Sequence, residues 1–261
     1  GNIAFMKISV ITATYNSAAT IGECLDSIGS QDWGDVEHIV VDGASTDGTV
    51  ELLEQRQSQI SRLISEPDDG IYDALNKGIA LATGDVVGFL HADDVLADSG
   101  VLSRIAGAFG DGEIDGVYGD LQYVRNDAAG SVLRHWVAGS FSAKKLRWGW
   151  MPPHPALYVR REWYERLGSF DTSYQIAADY LCMLKFLSHP DFKVVYLPEV
   201  LVRMRVGGAS NRSLKNIIRK SREDLRALRE TGVGAFGGFG ALAWKNLSKL
   251  KQFWRARRVR L

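Results

Sequence analysis

The chain has 261 residues, enough for one large α/β domain, with or without an appendage, and for a sizeable core. Its 46% hydrophobic and 24% charged residues fit an ordinary soluble globular protein; two cysteines, Cys24 and Cys182, without metal-ligand spacing argue against a disulfide framework or a zinc site and for a reducing compartment. The formal net charge is zero, yet residues 1–211 carry 17 basic and 28 acidic side chains while 212–261 carry 14 basic and 3 acidic, a split expected of an acidic body whose tail meets something anionic.

No secretory signal is evident, and no apolar run is long enough to span a bilayer. Met6 reads as a start residue, and no function is assigned to Gly1–Phe5. The β-branched run from Ile8 to Thr14 predicts a buried strand ending at Asn16-Ser17. Ile21, Cys24, Leu25 and Ile28 then recur at helical spacing, with Thr20 as N-cap. A second strand is expected over His38–Asp42, a turn over Gly43–Gly48, and helical spacing at Val50, Leu53 and Ile60. Arg62–Ser65 predicts a third strand, Tyr72–Ala82 a helix, and Asp85–Leu90 a fourth strand. Strand alternating with helix implies a parallel sheet with helices on both faces.

In the second half, Val117–Val124 and Ala156–Val159 read as strands, separated by a stiff aromatic and proline segment, Trp148–Pro155. Helices are expected over Arg161–Leu167 and Asp179–Leu187, and Val194–Leu197 is expected to close the sheet.

Ligands of such sheets gather beyond the carboxyl ends of the strands. Thr14-Tyr15-Asn16, Asp42, Glu66-Asp68-Asp69 and His91-Asp93-Asp94 each follow one of the four strands, which places four polar clusters on one edge. The adjacent carboxylates Asp93 and Asp94 repel unless something positive joins them. A divalent ion bound to a diphosphate meets that need, since Mg2+ and Mn2+ prefer carboxylate and phosphate oxygens; the pair also suits capping of a following helix. Asp42 is placed to accept hydrogen bonds from a ribose or base. No GxGxxG follows the first strand and no GxxxxGK[ST] occurs, which disfavours nicotinamide and P-loop chemistry.

Four ordered blocks carry a resemblance: Ser9–Asn16, Val40–Thr49, Ser65–Gly78 and Leu90–Asp94. Over roughly the first hundred residues they resemble family-2 glycosyltransferases of GT-A fold, and especially the bacterial enzymes that build O-antigen, capsule and exopolysaccharide units. The resemblance implies an inverting transfer of a hexose or N-acetylhexosamine from a nucleotide-diphospho-sugar, a UDP-sugar by preference, with Mn2+ or Mg2+ as cofactor. It also implies roles. Thr12, Tyr15, Asn16 and Asp42 would hold the nucleoside, Asp68 would lie near base or ribose, Lys77 near the phosphates, Asp93 on the ribose and Asp94 on the metal. Asp179, in Ala177-Ala178-Asp179-Tyr180, matches the family's base position; by itself it also reads as a carboxylate stabilised by a helix N-terminus. A single displacement needs one carboxylate to take the acceptor proton and a metal to neutralise the diphosphate. His154 matches a position near donor or acceptor, or is an ordinary loop histidine. Trp148, Trp150 and Tyr158 are candidates for stacking on a sugar, or for core. Arg203 and Arg205, followed by Gly207–Ser210, suit a cationic strand end and a loop closing on the diphosphate.

From Phe239, apolar residues recur at three and four with Lys245, Lys249, Lys251 and Arg255 beside them. A basic amphipathic helix of this kind suits an in-plane membrane contact or packing on the body or a dimer partner. The expected organisation is a catalytic domain over 1–211 (nucleotide-sugar half 1–100, acceptor half 101–211) and a basic helical tail over 212–261. The expected partners are a polyprenyl-diphosphate-linked glycan and, through 236–261, the cytoplasmic face of the inner membrane, with no nucleic acid. A nucleotidyltransferase and a non-catalytic carbohydrate- or lipid-binding module are the alternatives; the first lacks its glycine-rich GxGxR-type loop here, and the retained acidic residues oppose the second.

Overall fold

The computed structural model describes residues 6–110, 113–125, 130–206 and 214–244. Strands β1 (Ile8–Thr14), β2 (Val36–Asp42), β3 (Arg62–Ser65) and β4 (Val86–Phe89) run parallel in the order β3-β2-β1-β4. Alternation decides which core each side chain joins. Val10 and Val40 meet Ile21, Cys24 and Leu25 of helix α1 (Ile21–Gly29) and Leu53 of α2 (Thr49–Gln55) on one face. Ile11, Ile39 and Val41 meet Tyr72, Ala74 and Leu75 of α3 (Ile71–Leu81) on the other. Each fully buried leucine or isoleucine is worth about 1.5–3 kcal/mol, so two-sided burial makes this half the rigid floor of the molecule.

Beyond β4 the sheet becomes mixed. β5 (Val95–Leu96), α4 (Val101–Phe109), β6 (Gly116–Arg125), β7 (Val132–Trp136), α5 (Ala143–Arg147), β8 (Leu157–Arg160), α6 (Arg161–Leu167), α7 (Ala178–Leu187), β9 (Val194–Val206) and α8 (Leu214–Thr231) follow. β8 is antiparallel to both β4 and β6, β9 is parallel to β6, and β5 is antiparallel to β9 on the sheet edge. Gly88 lets β4 pass Tyr158: a Cβ there would lie 2.1 Å from the tyrosine ring.

Several expectations need revision. Thr20 precedes α1 but makes no side-chain cap. The helix containing Val50 and Leu53 ends at Gln55, and Ile60 follows a separate short 3-10 turn. Val194–Leu197 is the start of a thirteen-residue strand that shifts register against β6 and continues through Arg203 and Arg205. β5, β7, α4 and α5 had no sequence assignment. Helix α8 falls within the segment expected as a tail, yet it packs on α7, with Asp224, Ala227 and Leu228 buried. The glycine-rich loop Gly207–Ser210 and residues 245–261 of the expected amphipathic helix lie outside the described residues.

Candidate active site

The carboxyl ends of the four parallel strands open into one cleft of about 930 Å3. Thr14 ends β1 with Tyr15 and Asn16 after it, Gly43 follows β2, Pro67 and Asp68 lie between β3 and α3 with Ile71 opening α3, and His91 to Asp93 follow β4. Three of the four predicted clusters thus contribute to the same cavity, and the second strand contributes Gly43 in place of Asp42. The wall is built by cross-links between loops. Asn16 sits at φ 49°, a left-handed conformation that asparagine tolerates; its N–H donates to Ser45 Oγ and its Oδ1 accepts from the Thr46 N–H, at 2.8 and 2.9 Å. Asp47 accepts from Ala18 N–H and from Thr49, binding the β1 loop to the start of α2. Asp68 accepts from Gly70 N–H at 3.0 Å and lies against Gly43, where an added Cβ would meet its Oδ2 at 2.5 Å.

Tyr15, Asn16, Asp68 and Asp93 therefore line the cleft as expected, with Tyr15 67% exposed at the rim. Five other residues do not. Thr12 is fully buried two positions down β1, paired with His38 Nε2 at 2.9 Å. Asp42 is also buried: its Oδ1 accepts from the Thr14 and Ser45 hydroxyls, and its Oδ2 from the Ser45 N–H and Ser65 hydroxyl. Burial alone would raise its pKa, but these bonds outweigh it and hold the carboxyl below its usual range. With four acceptor positions filled, Asp42 organises the Gly43–Gly48 turn instead of facing a ligand. Lys77 pairs with Glu66 at 2.9 Å and Asp73 at 3.3 Å, bracing the β3–α3 loop from below. Arg205 pairs with Glu23 on α1, and Arg203 is exposed near Asp98.

Asp93 is exposed and Asp94 is 1% exposed. Asp94 Oδ1 receives the Arg205 N–H at 3.2 Å, while its Oδ2 is buried with no hydrogen-bond partner among the described residues. Burial, then the neighbouring Asp93 charge, push the Asp94 carboxyl up to about 8 against the lowering effect of the Arg205 N–H. A buried, unpartnered carboxylate oxygen beside a second carboxylate fits a divalent cation. No group of three or more His, Cys, Asp or Glu side chains suited to a metal occurs among the described residues.

The second half brings Asp179 to the same edge. At the start of α7, its Oδ1 receives the Tyr180 N–H at 2.9 Å and lies 3.1 Å from the Tyr72 hydroxyl, which also reaches Ile176 O at 2.7 Å. His91 is near enough to Asp93 and Asp179 to feel both charges. Burial lowers its pKa, and the charges of Asp93 and Asp179 both oppose that effect. His154 stacks on Phe89, 5.2 Å between centroids, and meets Phe170 edge-on. Burial depresses it to about 4, so it is neutral near pH 7, with the Asp179 charge acting the other way. Trp150 turns from the cleft: its Nε1–H donates to Ala138 O at 2.9 Å and its ring packs on Tyr118. Tyr158 is core.

Two further residues, Tyr72 and Glu223, shape the site without having been given a role, and His91, read as part of the polar cluster after the fourth strand, joins them. His91 and Tyr72 stand within the sequence blocks quoted above, His91 two residues before the acidic pair. Glu223 gives no local signal at all. Its carboxylate, on α8, accepts the N–H groups of Gln175, Ile176 and Ala177 at 3.0, 2.8 and 2.9 Å and so fixes the entry to α7.

Known proteins of the same build exist. The model of the family "Glycosyl transferase family 2" matches residues 9–174. A PGL/p-HBAD biosynthesis glycosyltransferase of Mycobacterium tuberculosis (strain ATCC 25177 / H37Ra) is 35% identical over 214 residues, 80% of this chain and 81% of the relative. Among solved structures, S. aureus TarS 1-349 in complex with UDP-GlcNAc superposes with a TM-score of 0.66 at 18% identity, covering 87% of this chain and 66% of that one. The mannosyltransferase PcManGT from Pyrobaculum calidifontis, in complex with GDP-Man and Mn2+, gives 0.65 at 22% identity, covering 92% and 69%. This chain spans just under two thirds of the TarS chain. At such identities the likeness establishes the fold, the GT-A glycosyltransferase fold.

Proposed function

The chain belongs to glycosyl transferase family 2, and from that premise we propose that it transfers a hexose or N-acetylhexosamine from a nucleotide-diphospho-sugar to a hydroxyl of a lipid-linked glycan, with inversion, in bacterial surface polysaccharide assembly. The observation that carries the reading is the acidic pair at the cleft edge, with its buried, unpartnered Asp94 oxygen. Tyr15, Asn16 and Asp68 line the nucleoside end, and Asp93 is exposed for a ribose hydroxyl. Asp94 would hold the divalent ion, Mn2+ or Mg2+. The ion, when bound, supplies charge neutralisation on the departing diphosphate. The TarS and PcManGT complexes hold UDP-GlcNAc, and GDP-Man with Mn2+, which supports a nucleotide-sugar donor and a divalent ion; a UDP-sugar is the favoured donor.

Asp179 is the proposed base. Its bonds from Tyr72 and Tyr180 both fall on Oδ1, so Oδ2 is the oxygen offered to the acceptor proton. Neutral His91 and His154 flank it without competing as cations. The basic C-terminal segment, 236–261, holds the enzyme at the cytoplasmic membrane face through its lysines and arginines beside apolar residues. Nucleotide release from UDP-, GDP- and dTDP-sugars, with and without Mn2+, tests the reading. The expected result is metal-dependent release from one donor class, lost in Asp94→Ala and reduced at least a hundredfold in Asp179→Asn. Absence of binding and turnover for every donor, with no change in Asp94→Ala, overturns it.

A further inference from the structure

A second cavity, of about 530 Å3, lies apart from the donor cleft and shares no lining residue with it. Its walls are Lys144, Lys145, Trp148, Trp150 and Trp244, joining helix α5 to the C-terminal segment. The two segments also touch at their aromatic side chains: Trp148 and Phe236 meet edge-on at 6.1 Å, and Trp148 packs against Gly240. Large apolar groups lie open here. Phe236 is 80% exposed, Phe239 57%, Trp244 53% and Trp148 37%. Phe236 is held at φ 52°, a conformation disfavoured for a residue with a Cβ, followed by Gly237 and Gly238 at positive φ. The backbone turn that presents this ring to solvent is therefore specified against local preference.

We propose that this face, α5 with the 236–244 segment, is a docking surface for an anionic lipid bilayer. Two observations select the occupant. Among the described residues no acidic side chain lines the cavity, and its two lysines stand beside tryptophans, the pairing that suits the boundary between headgroup phosphates and acyl chains. The chain continues from Trp244 into seventeen residues with Lys245, Lys249, Lys251, Arg255, Arg257, Arg258 and Arg260 and no acidic residue, so the adjoining segment carries the same sign of charge. The inference rests on the proposed membrane association and extends it: α5, from the middle of the chain, enters the interface with the tail and fixes the orientation of the whole protein on the surface.

The test uses the full chain. Both native cysteines are buried, so a Lys144→Cys variant accepts an environment-sensitive dye at the surface. Vesicles of phosphatidylcholine, with and without about a quarter phosphatidylglycerol, are the probes. The expected result is a blue shift of the dye only on the anionic vesicles, and vesicle affinity at least about tenfold weaker in Lys144→Glu/Lys145→Glu and in Phe236→Ser, with donor turnover retained. Vesicle binding by the parent chain without a dye shift, and with unchanged affinity in these variants, overturns the α5 surface while leaving tail binding intact. No vesicle binding at all removes the membrane reading itself. Saturation of the shift by soluble glycerol phosphate, or a shift that follows protein concentration without vesicles, overturns the proposal in favour of a free phosphate ligand or a second copy of the chain.

Discussion

Replacing Asp94 by asparagine should make the metal-free protein more stable at alkaline pH. The carboxyl of an exposed aspartate titrates near 3.8; in the folded chain burial and the Asp93 charge raise that of Asp94 to about 8. Between those values the folded state holds a proton that the unfolded state has lost. Stability therefore falls as pH rises from 4 to 8 and levels off above it. Four pH units at about 1.36 kcal/mol each give a full span on the order of 5 kcal/mol. Relaxation and water at the open cleft edge reduce this, and about 2 kcal/mol is a cautious expectation. Asparagine keeps the shape and has no proton to lose. In EDTA, melting curves of Asp94→Asn and the parent chain should converge near pH 5 and separate with rising pH, by roughly 4–8 °C at pH 8 to 9. Mn2+ with UDP should then raise the parent chain and leave the variant unmoved. Parallel pH profiles for the two proteins would refute the reasoning.

Three other substitutions probe the supports of the site. Gly43→Ala places a Cβ 2.5 Å from Asp68 Oδ2 and forces that carboxylate outward; UDP affinity measured by calorimetry should fall roughly tenfold, about 1.4 kcal/mol, with little change in melting temperature. Tyr72→Phe removes the hydroxyl shared by Asp179 and Ile176 O. Turnover should drop about tenfold, measured as nucleotide release at saturating donor, because the hydroxyl no longer holds the Asp179 carboxylate in place. Glu223→Ala strands three backbone N–H groups at the entry to α7. A loss of about 2–3 kcal/mol is expected, with faster hydrogen exchange at residues 175–177 and an intermediate effect in Glu223→Gln; unchanged exchange there would separate α8 from the control of Asp179.

Local pattern was enough for the first half. β-branched runs with short helical repeats between them specify β1 to β4 and α3 nearly to the residue, and the rule that ligands gather past parallel strand ends then locates the cleft and the acidic pair. The same pattern also reads α6 and α7, and with α7 the position of Asp179. What one dimension does not carry is the direction of a polar side chain once the fold closes. Asp42 ends β2 and Asp93 follows β4, yet Thr14, Ser45 and Ser65 use every acceptor position of Asp42, while Asp93 faces the cavity. Lys77 and Arg205 have the charge a diphosphate needs, but Glu66, Asp73 and Glu23 claim them first. The partners that decide these cases stand up to about 180 residues away along the chain, and Glu223 reaches α7 across more than forty. Hydrophobic periodicity is a property of neighbours in sequence and survives in the sequence; hydrogen-bond and ion-pair competition is a property of neighbours in space, and only the packed sheet and the helices around it settle which carboxylate is left for a ligand.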